Sequence, residues 1–246
     1  MISVITATFN AERTLPALIA SLREQTSHDF EWIVVDGASG DGTLDLLRDA
    51  GDLVTRRVSE PDFGIYHALN KGLALARGEY YMVVGSDDTL LPGAIEAFAR
   101  AAATSGADVI AAPVLVDGTA VQPRRNLPWL RSGPPMVAAH SVGSLIRRSL
   151  HDEVGPYSRR FPIAADTYFL LQAIQRKKRF AYLSEAVGSF GTAGLSSGDA
   201  LGALTESWRA TVAVRGWFWL QLPLFLARLV ANGARIARGS GRPTTP

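Results

Sequence analysis

The sequence contains no cysteine among its 246 residues. That absence excludes a disulfide scaffold, thiolate zinc sites and cysteine nucleophiles together, and it is compatible with a reducing cytosol. Glycine (23) and proline (13) follow no triplet period, so a collagen-like fibre is excluded. Long apolar runs are scarce. The best is residues 216–227, uncharged between Arg215 and Arg228 but interrupted by Gln221 and Pro223. A spanning helix needs roughly 20 apolar residues, so this segment can lie on a bilayer but is too short to cross one.

What is present describes a folded protein. Apolar residues make up 47% and charged residues 20%, which excludes a disordered chain. The length is near the upper limit for a single core, with room for an appendage. The charge is divided unevenly. Residues 1–204 hold 19 basic and 22 acidic side chains, whereas residues 205–246 hold six arginines and one acid, Glu206. A nucleic-acid binder would interleave basic and aromatic residues in its body, so no nucleic-acid partner is expected. The pattern fits a catalytic domain over residues 1–204 and a basic, amphipathic helical tail over residues 205–246. The chain opens on strand-like sequence without a basic leader or cleavage site, so the expected location is cytoplasmic, with peripheral contact at the inner face of the cell membrane.

The first half alternates strands and helices. Residues 3–7, 32–35, 54–58 and 80–84 read as strands, and residues 108–116 as a further one. Leu15, Leu18, Ile19 and Leu22 follow helical spacing, as do Ile65, Ala68, Leu69, Gly72, Leu73 and Ala76, while Leu44 and Leu47 begin another helix. Pro92 is placed to open a helix carrying Ile95 and Phe98. The second half is less regular: a Pro- and Arg-rich loop over 121–135, strands at 142–146 and 180–187, and a helix over 167–176. This order predicts an α/β fold with a mostly parallel sheet flanked by helices.

In such sheets ligands gather beyond the carboxyl ends of the strands. Three strand tips here are polar: Thr8-Phe9-Asn10, the glycine-rich loop from Asp36 to Gly42, and Gly85-Ser86-Asp87-Asp88. Adjacent carboxylates repel unless a cation compensates, and Mg²⁺ or Mn²⁺ at Asp87 and Asp88 would also hold a diphosphate. The plainer reading is that the pair caps the following helix, and that the Asp36 loop is a turn. Gly194-Leu195-Ser196-Ser197-Gly198 matches a nucleophile elbow, but the last histidine, His151, precedes Ser196, so the triad order cannot be completed. No P-loop, no dinucleotide fingerprint and no H-E-x-x-H occurs.

These segments resemble the family 2 glycosyltransferases of the GT-A fold, in particular bacterial exopolysaccharide enzymes of the colanic-acid type. Residues 3–10 (SVITATFN) are similar to the family's first strand, and residues 31–43 (EWIVVDGASGDGT) to its second strand and nucleotide loop. Residues 59–72 (SEPDFGIYHALNKG) form the most specific match; His67 stands where these relatives usually carry an acid. Residues 76–80 followed by Gly85-Ser86-Asp87-Asp88 resemble the approach to the metal-binding DXD motif. Shorter matches follow in order at His140-Ser141, Arg147-Arg148, Gly155-Pro156-Tyr157, Ala164-Ala165-Asp166 and Gly194-Leu195-Ser196.

The resemblance implies an inverting transfer of a sugar from a UDP- or GDP-linked donor to a hydroxyl of a glycan or polyprenyl-linked glycolipid. It implies that Asp36 binds the base, with Thr8 and Asn10 shaping that pocket. Asp87 would lie near the ribose, Asp88 would ligate Mn²⁺ or Mg²⁺, and Asp166 would be the general base. His140 would contact acceptor or diphosphate by its place in the pattern, or serve as a structural hydrogen-bonder; of Arg147 and Arg148, one would sit in solvent and the other reach phosphate. Asp166 could instead cap the helix that carries Phe169, Leu170 and Leu171. Ala165 and Tyr168 flank it where many relatives place a second acid. A sugar nucleotidyltransferase, or an inactive membrane-associated scaffold, are the competing readings. The tail's tryptophans could meet lipid, pack on the domain or contact a second copy in a homo-oligomer, and Pro223 predicts a break between two helical pieces.

Overall fold

The computed structural model describes residues 1–123, 141–191 and 199–233. Its elements run β1 (Ile2–Thr8), α1 (Leu15–Arg23), β2 (Phe30–Asp36), α2 (Thr43–Asp49), β3 (Val54–Ser59), α3 (Ile65–Leu75), β4 (Tyr80–Val83), β5 (Thr89–Leu90), α4 (Ala94–Ser105) and β6 (Val109–Ala111). They continue with β7 (Val114–Val116), β8 (Thr119–Val121), β9 (Ser144–Arg147), α5 (Leu150–Val154), α6 (Ala165–Gln175), β10 (Phe180–Tyr182), β11 (Gly188–Phe190), α7 (Ala200–Arg215) and α8 (Phe218–Ala231). Seven strands form one sheet in the order β10-β6-β9-β4-β1-β2-β3. All pair in parallel except β9, which is antiparallel to both β4 and β6.

Strand periodicity divides the core. In β2, Trp32 and Val34 point to one face of the sheet and Ile33 to the other, as alternation requires. The first face packs on Leu15, Leu18 and Leu22 of α1 and on Ile95 and Phe98 of α4. The second packs on Leu69 of α3 and on Phe169 and Leu170 of α6. The buried indole of Trp32 donates to Thr6 Oγ1 at 3.0 Å, so its polar atom is satisfied in the core. Gly72 sets the approach of α3, because a Cβ there would stand 2.5 Å from Ile5 Cγ2. A larger residue would push α3, and the site residue it carries, off the sheet.

Several expected elements differ in detail. Residues 108–116 form two strands in two sheets, with Pro113, which cannot donate to a ladder, between them. Residues 180–187 likewise yield only β10, and β11 starts at Gly188. The four-stranded sheet β5-β11-β7-β8 was not expected, since strands of two or three residues are too short to show a period. α4 begins at Ala94 rather than Pro92, because Gly93 is left-handed at φ +81°.

α7 runs unbroken through residues 204 and 205, lies along α6, and buries Ala210 and Thr211. The chain turns at Gly216 and Trp217, both with positive φ. The break expected at Pro223 therefore falls seven residues earlier, and Pro223 lies inside α8. Its missing N–H would have served the Trp219 carbonyl, and Trp219 is 84% exposed, so water can serve it. α8 returns onto α7 through Trp208, whose ring stacks on Phe225 at 4.9 Å. Trp217, Trp219, Leu226 and Val230 remain exposed. Among the described residues no helix is long and apolar enough to cross a membrane.

Candidate functional site

Parallel pairing brings the polar strand tips to one edge. Thr8 sits opposite Asp36 in the β1–β2 register, and Asp36 opposite Ser59 in β2–β3. The strand order turns outward from β1 to β2 on one side and to β4 on the other. That reversal is the switch point where open α/β sheets form ligand crevices.

At this edge Asp36 is fully buried, with four donors on its carboxylate. Thr8 Oγ1 donates to Oδ1 at 3.0 Å, Ser59 Oγ to Oδ2 at 2.8 Å, Ser39 N to Oδ2 at 2.9 Å, and Ser39 Oγ to Oδ1. Burial pushes the carboxyl up, but the bonds from Ser39, Ser59 and Thr8 outweigh it and hold the group below its ordinary range. Asn10, left-handed at φ +48°, donates its N–H to Ser39 Oγ at 2.8 Å and accepts from Gly40 N at 2.9 Å. Thr8, Asn10 and Asp36 are thus gathered through Ser39, with Asp36 as the buried anchor. Above it lies Gly37, where a Cβ would meet Phe9 Cδ2 at 3.4 Å and Asp62 Oδ2 at 3.0 Å. Phe9 is 63% exposed at the strand tip, a ring that packs against little of the protein. The sequence signal for it was an aromatic inside a polar tip.

The Asp87-Asp88 pair follows β4. Asp88 is buried; its Oδ2 accepts from Gly85 N and its Oδ1 from Gly191 N, both at 2.9 Å. Burial first, then the neighbouring Asp87 charge, push this carboxyl up to about 6. The two acids converge, because a Cβ on Gly85 would stand 2.9 Å from Asp88 Oδ2 and 3.0 Å from Asp87 Oδ1. α4 starts only at Ala94 with Gly93 at its cap, so neither aspartate caps it. Two convergent carboxylates are a hard, all-oxygen donor set that suits Mg²⁺ or Mn²⁺. Among the described residues no cluster of three or more acids or histidines would hold a cation alone, so diphosphate and water oxygens would complete the shell.

Asp166 lies in the first turn of α6 and lines a pocket of about 350 Å³, part of it open to solvent, with Val83, Ser141, Ser144, Ile146, Tyr157 and Leu170. Val83 ends β4, so the chain passes from this pocket directly to Gly85 and the acidic pair. The cap position of α6 is Ala164, and Asp166 therefore does not cap it. Tyr66 Oη lies 2.9 Å from Asp166 Oδ1, and Thr167 N donates to the same oxygen at 2.6 Å. Burial raises the Asp166 carboxyl above its ordinary value, against the lowering effect of these two bonds. Behind the pocket, His151 Nδ1 faces Gly155 O at 2.9 Å and Nε2 faces Tyr81 Oη at 2.7 Å, while Tyr81 and Tyr157 share a 2.8 Å bond. Burial depresses His151 to about 4, so at neutral pH Nδ1–H donates to the carbonyl and Nε2 accepts from Tyr81.

Tyr66 gives a direct test of this environment. Its hydroxyl lowers the Asp166 carboxyl, so Tyr66→Phe should raise the midpoint of the Asp166 titration followed by NMR. An unmoved or lowered midpoint would contradict the assignment of that bond.

The other sequence candidates fare differently. Arg147 is held by Glu79, Asp108 and Tyr80, and Arg148 Nε donates to Gly78 O at 2.9 Å. Both are tied to the start of β4, the edge opposite the polar tips, so neither reaches a phosphate at this site. His140 and the segment Gly194-Leu195-Ser196 lie outside the described residues.

Comparison with known proteins decides the class. Residues 3–158 match the family model described as "Glycosyl transferase family 2". The chain belongs to glycosyltransferase family 2. The PGL/p-HBAD biosynthesis glycosyltransferase of Mycobacterium tuberculosis is 31% identical over 188 residues, covering 69% of this chain and 68% of that relative. Among solved structures, S. aureus TarS 1-349 in complex with UDP-GlcNAc superposes with TM-score 0.69 at 17% identity, covering 97% of this glycosyltransferase and 79% of TarS 1-349. The mannosyltransferase PcManGT of Pyrobaculum calidifontis, in complex with GDP-Man and Mn²⁺, gives 0.66 at 19% identity, covering 95% of this chain and 75% of that one. This glycosyltransferase accordingly has the GT-A fold. Asp166, α7 and α8 lie beyond the segment that the family model matches.

Proposed function

We propose that this glycosyltransferase moves a sugar, with inversion, from a UDP- or GDP-linked donor to a hydroxyl of a glycan or polyprenyl-linked glycolipid, in bacterial cell-surface polysaccharide synthesis of the colanic-acid type. The observation that carries the reading is Asp166: a carboxylate with a raised proton affinity, held by Tyr66, in a pocket continuous in sequence with a convergent acidic pair. Similar solved proteins in complex with UDP-GlcNAc or with GDP-Man and Mn²⁺ support it.

The donor's base would lie over Gly37 against the exposed Phe9 ring, in the pocket that Thr8, Asn10 and Asp36 shape. Because four protein donors already fill the Asp36 carboxylate, its main contribution is to fix Ser39 and Thr8 beneath the base. Asp87 would face the ribose, while Asp88, with Asp87, would hold Mn²⁺ or Mg²⁺. When bound, the cation neutralises charge on the departing diphosphate. Asp166 takes the acceptor's hydroxyl proton, that oxygen attacks the anomeric carbon from the opposite face, and the bond to the diphosphate breaks with its electron pair leaving on phosphate oxygen. A positioned base of this kind contributes ~10²–10⁴-fold. His140 is the candidate contact to acceptor or diphosphate.

The test is incubation with radiolabelled UDP- and GDP-sugars and polyprenyl-diphosphate-linked acceptors. Label should pass to the lipid phase with inverted anomeric configuration. Retained configuration, or pyrophosphate release from a sugar phosphate and a nucleoside triphosphate, would contradict the reading.

The exposed Trp217 at the turn before α8 and Trp219, Leu226 and Val230 within it, followed in sequence by Arg235, Arg238 and Arg242, suit contact with an anionic bilayer from the cytoplasmic side. Truncation after Arg215 keeps α7 and should leave a folded protein that no longer floats with vesicles containing phosphatidylglycerol. Undiminished flotation would place the membrane contact elsewhere, and dimer dissociation on truncation would assign the face to a second copy.

A further inference from the structure

α6 begins without a capping side chain of its own, since Ala164 stands at its cap. A carboxylate from another helix occupies that place. Glu206, buried on α7, accepts from Ile163 N at 2.8 Å and from Ala164 N at 3.0 Å, both on Oε2. The carbonyl of the same Ile163 lies 3.0 Å from Tyr66 Oη, the hydroxyl that is 2.9 Å from Asp166. Ile163 is therefore held on both sides: Glu206 accepts from its N–H, and its carbonyl shares the single Tyr66 hydroxyl proton with Asp166. Gly202 leaves room at this end of α7: a Cβ there would stand 2.1 Å from Oδ2 of Asp199, which caps α7, and 2.9 Å from Ile163 Cδ1.

The chemistry suits the place. A carboxylate accepting two backbone N–H groups makes charge-assisted bonds, stronger than neutral ones. Its negative charge also faces the positive end of α6. Glu206 is the one acid in residues 205–246, among six arginines. An isolated acid there serves solubility poorly, and the structure buries it.

We propose that Glu206 is a positioning residue for sugar transfer: it fixes residues 163 and 164 so that Asp166 and Tyr66 meet in the geometry that presents the carboxylate to the acceptor hydroxyl. The proposal rests on the reading of Asp166 as the base. It also makes α7 part of the catalytic unit, although α7 lies beyond the matched family segment.

The experiment compares Glu206→Ala, Glu206→Gln and Asp166→Asn in the full chain. Two quantities are read: the Asp166 carboxyl titration, by NMR on aspartate-labelled protein, and kcat for nucleoside diphosphate release. The substrate for the second is whichever of UDP-glucose, UDP-N-acetylglucosamine, UDP-galactose and GDP-mannose the unmodified protein turns over against water with Mn²⁺. Glu206→Ala should lower kcat at least tenfold with KM for the donor within twofold, and should raise the Asp166 titration midpoint as the Tyr66 bond loosens. Glu206→Gln, whose amide oxygen still accepts both N–H groups, should recover most of the loss. A folded Glu206→Ala protein with native titration and kcat within twofold, beside an inactive Asp166→Asn, would overturn the positioning role alone. Near-normal turnover by Asp166→Asn would remove the base reading itself. Should Glu206→Ala fail to fold, Glu206→Asp, one methylene short of both N–H groups, takes its place, and a native kcat in that variant overturns the proposal.

Discussion

Asp166→Asn should bind donor nucleotide as the unmodified protein does yet lose ~10²–10⁴-fold in turnover, the usual contribution of a positioned general base. The amide keeps the volume of the carboxyl and can still accept from Tyr66 and Thr167, so neither the pocket nor α6 has reason to move. It has no lone pair basic enough to take a hydroxyl proton. The loss should therefore appear in kcat, with KM for the donor nearly unchanged. Turnover within threefold of the unmodified protein would show that another group accepts the proton. A loss confined to KM would make Asp166 a binding residue.

Asp88→Ala should abolish the cation dependence of nucleotide binding. The change removes one of two carboxylates that converge over Gly85 and frees the N–H groups of Gly85 and Gly191. Tight, Mn²⁺-stimulated binding of UDP or GDP by this variant would contradict the metal assignment. The unmodified protein makes a matching prediction with pH. A cation binds the ionised carboxylate, and Asp88 is pushed up to about 6, so cation affinity should be level above that pH. Below it, affinity should fall by about tenfold per pH unit as a proton competes. Isothermal titration with Mn²⁺ and UDP or GDP across pH 5 to 8 reads the effect, and a flat response would place the cation away from Asp88.

How much of this was legible in the sequence depends on how local the signal is. The polar tips after β1, β2 and β4 were visible because a buried parallel strand reads as an apolar run and its end as a sudden change of character. Parallel pairing then guaranteed that Thr8, Asn10, Asp36, Asp87 and Asp88 share an edge. The second sheet was invisible, since its strands draw their order from pairing rather than pattern. One of Arg147 and Arg148 was expected to reach phosphate, but β9 runs antiparallel to β4 and delivers both to the far edge. Pro223 was expected to break the tail, yet the left-handed Gly216 and Trp217 turn the chain earlier. Tyr66 and Glu206 carry signals only in three dimensions. The first is 100 residues from the aspartate it bonds, and the second reaches back 43 and 42 residues to Ile163 and Ala164.

The most direct test of the account is thermal unfolding of the full chain with UDP, GDP, TDP and CMP, each with and without Mn²⁺. Ligand at 100 times its Kd adds about 2.7 kcal/mol, which for a domain of this size raises Tm by roughly 5–10 °C. A rise of that size with one nucleoside diphosphate, present with Mn²⁺ and absent both without it and in Asp88→Ala, is the predicted result. A rise that ignores the cation, or no rise with any of the four, would contradict a metal-held nucleotide-sugar donor at this edge of the sheet.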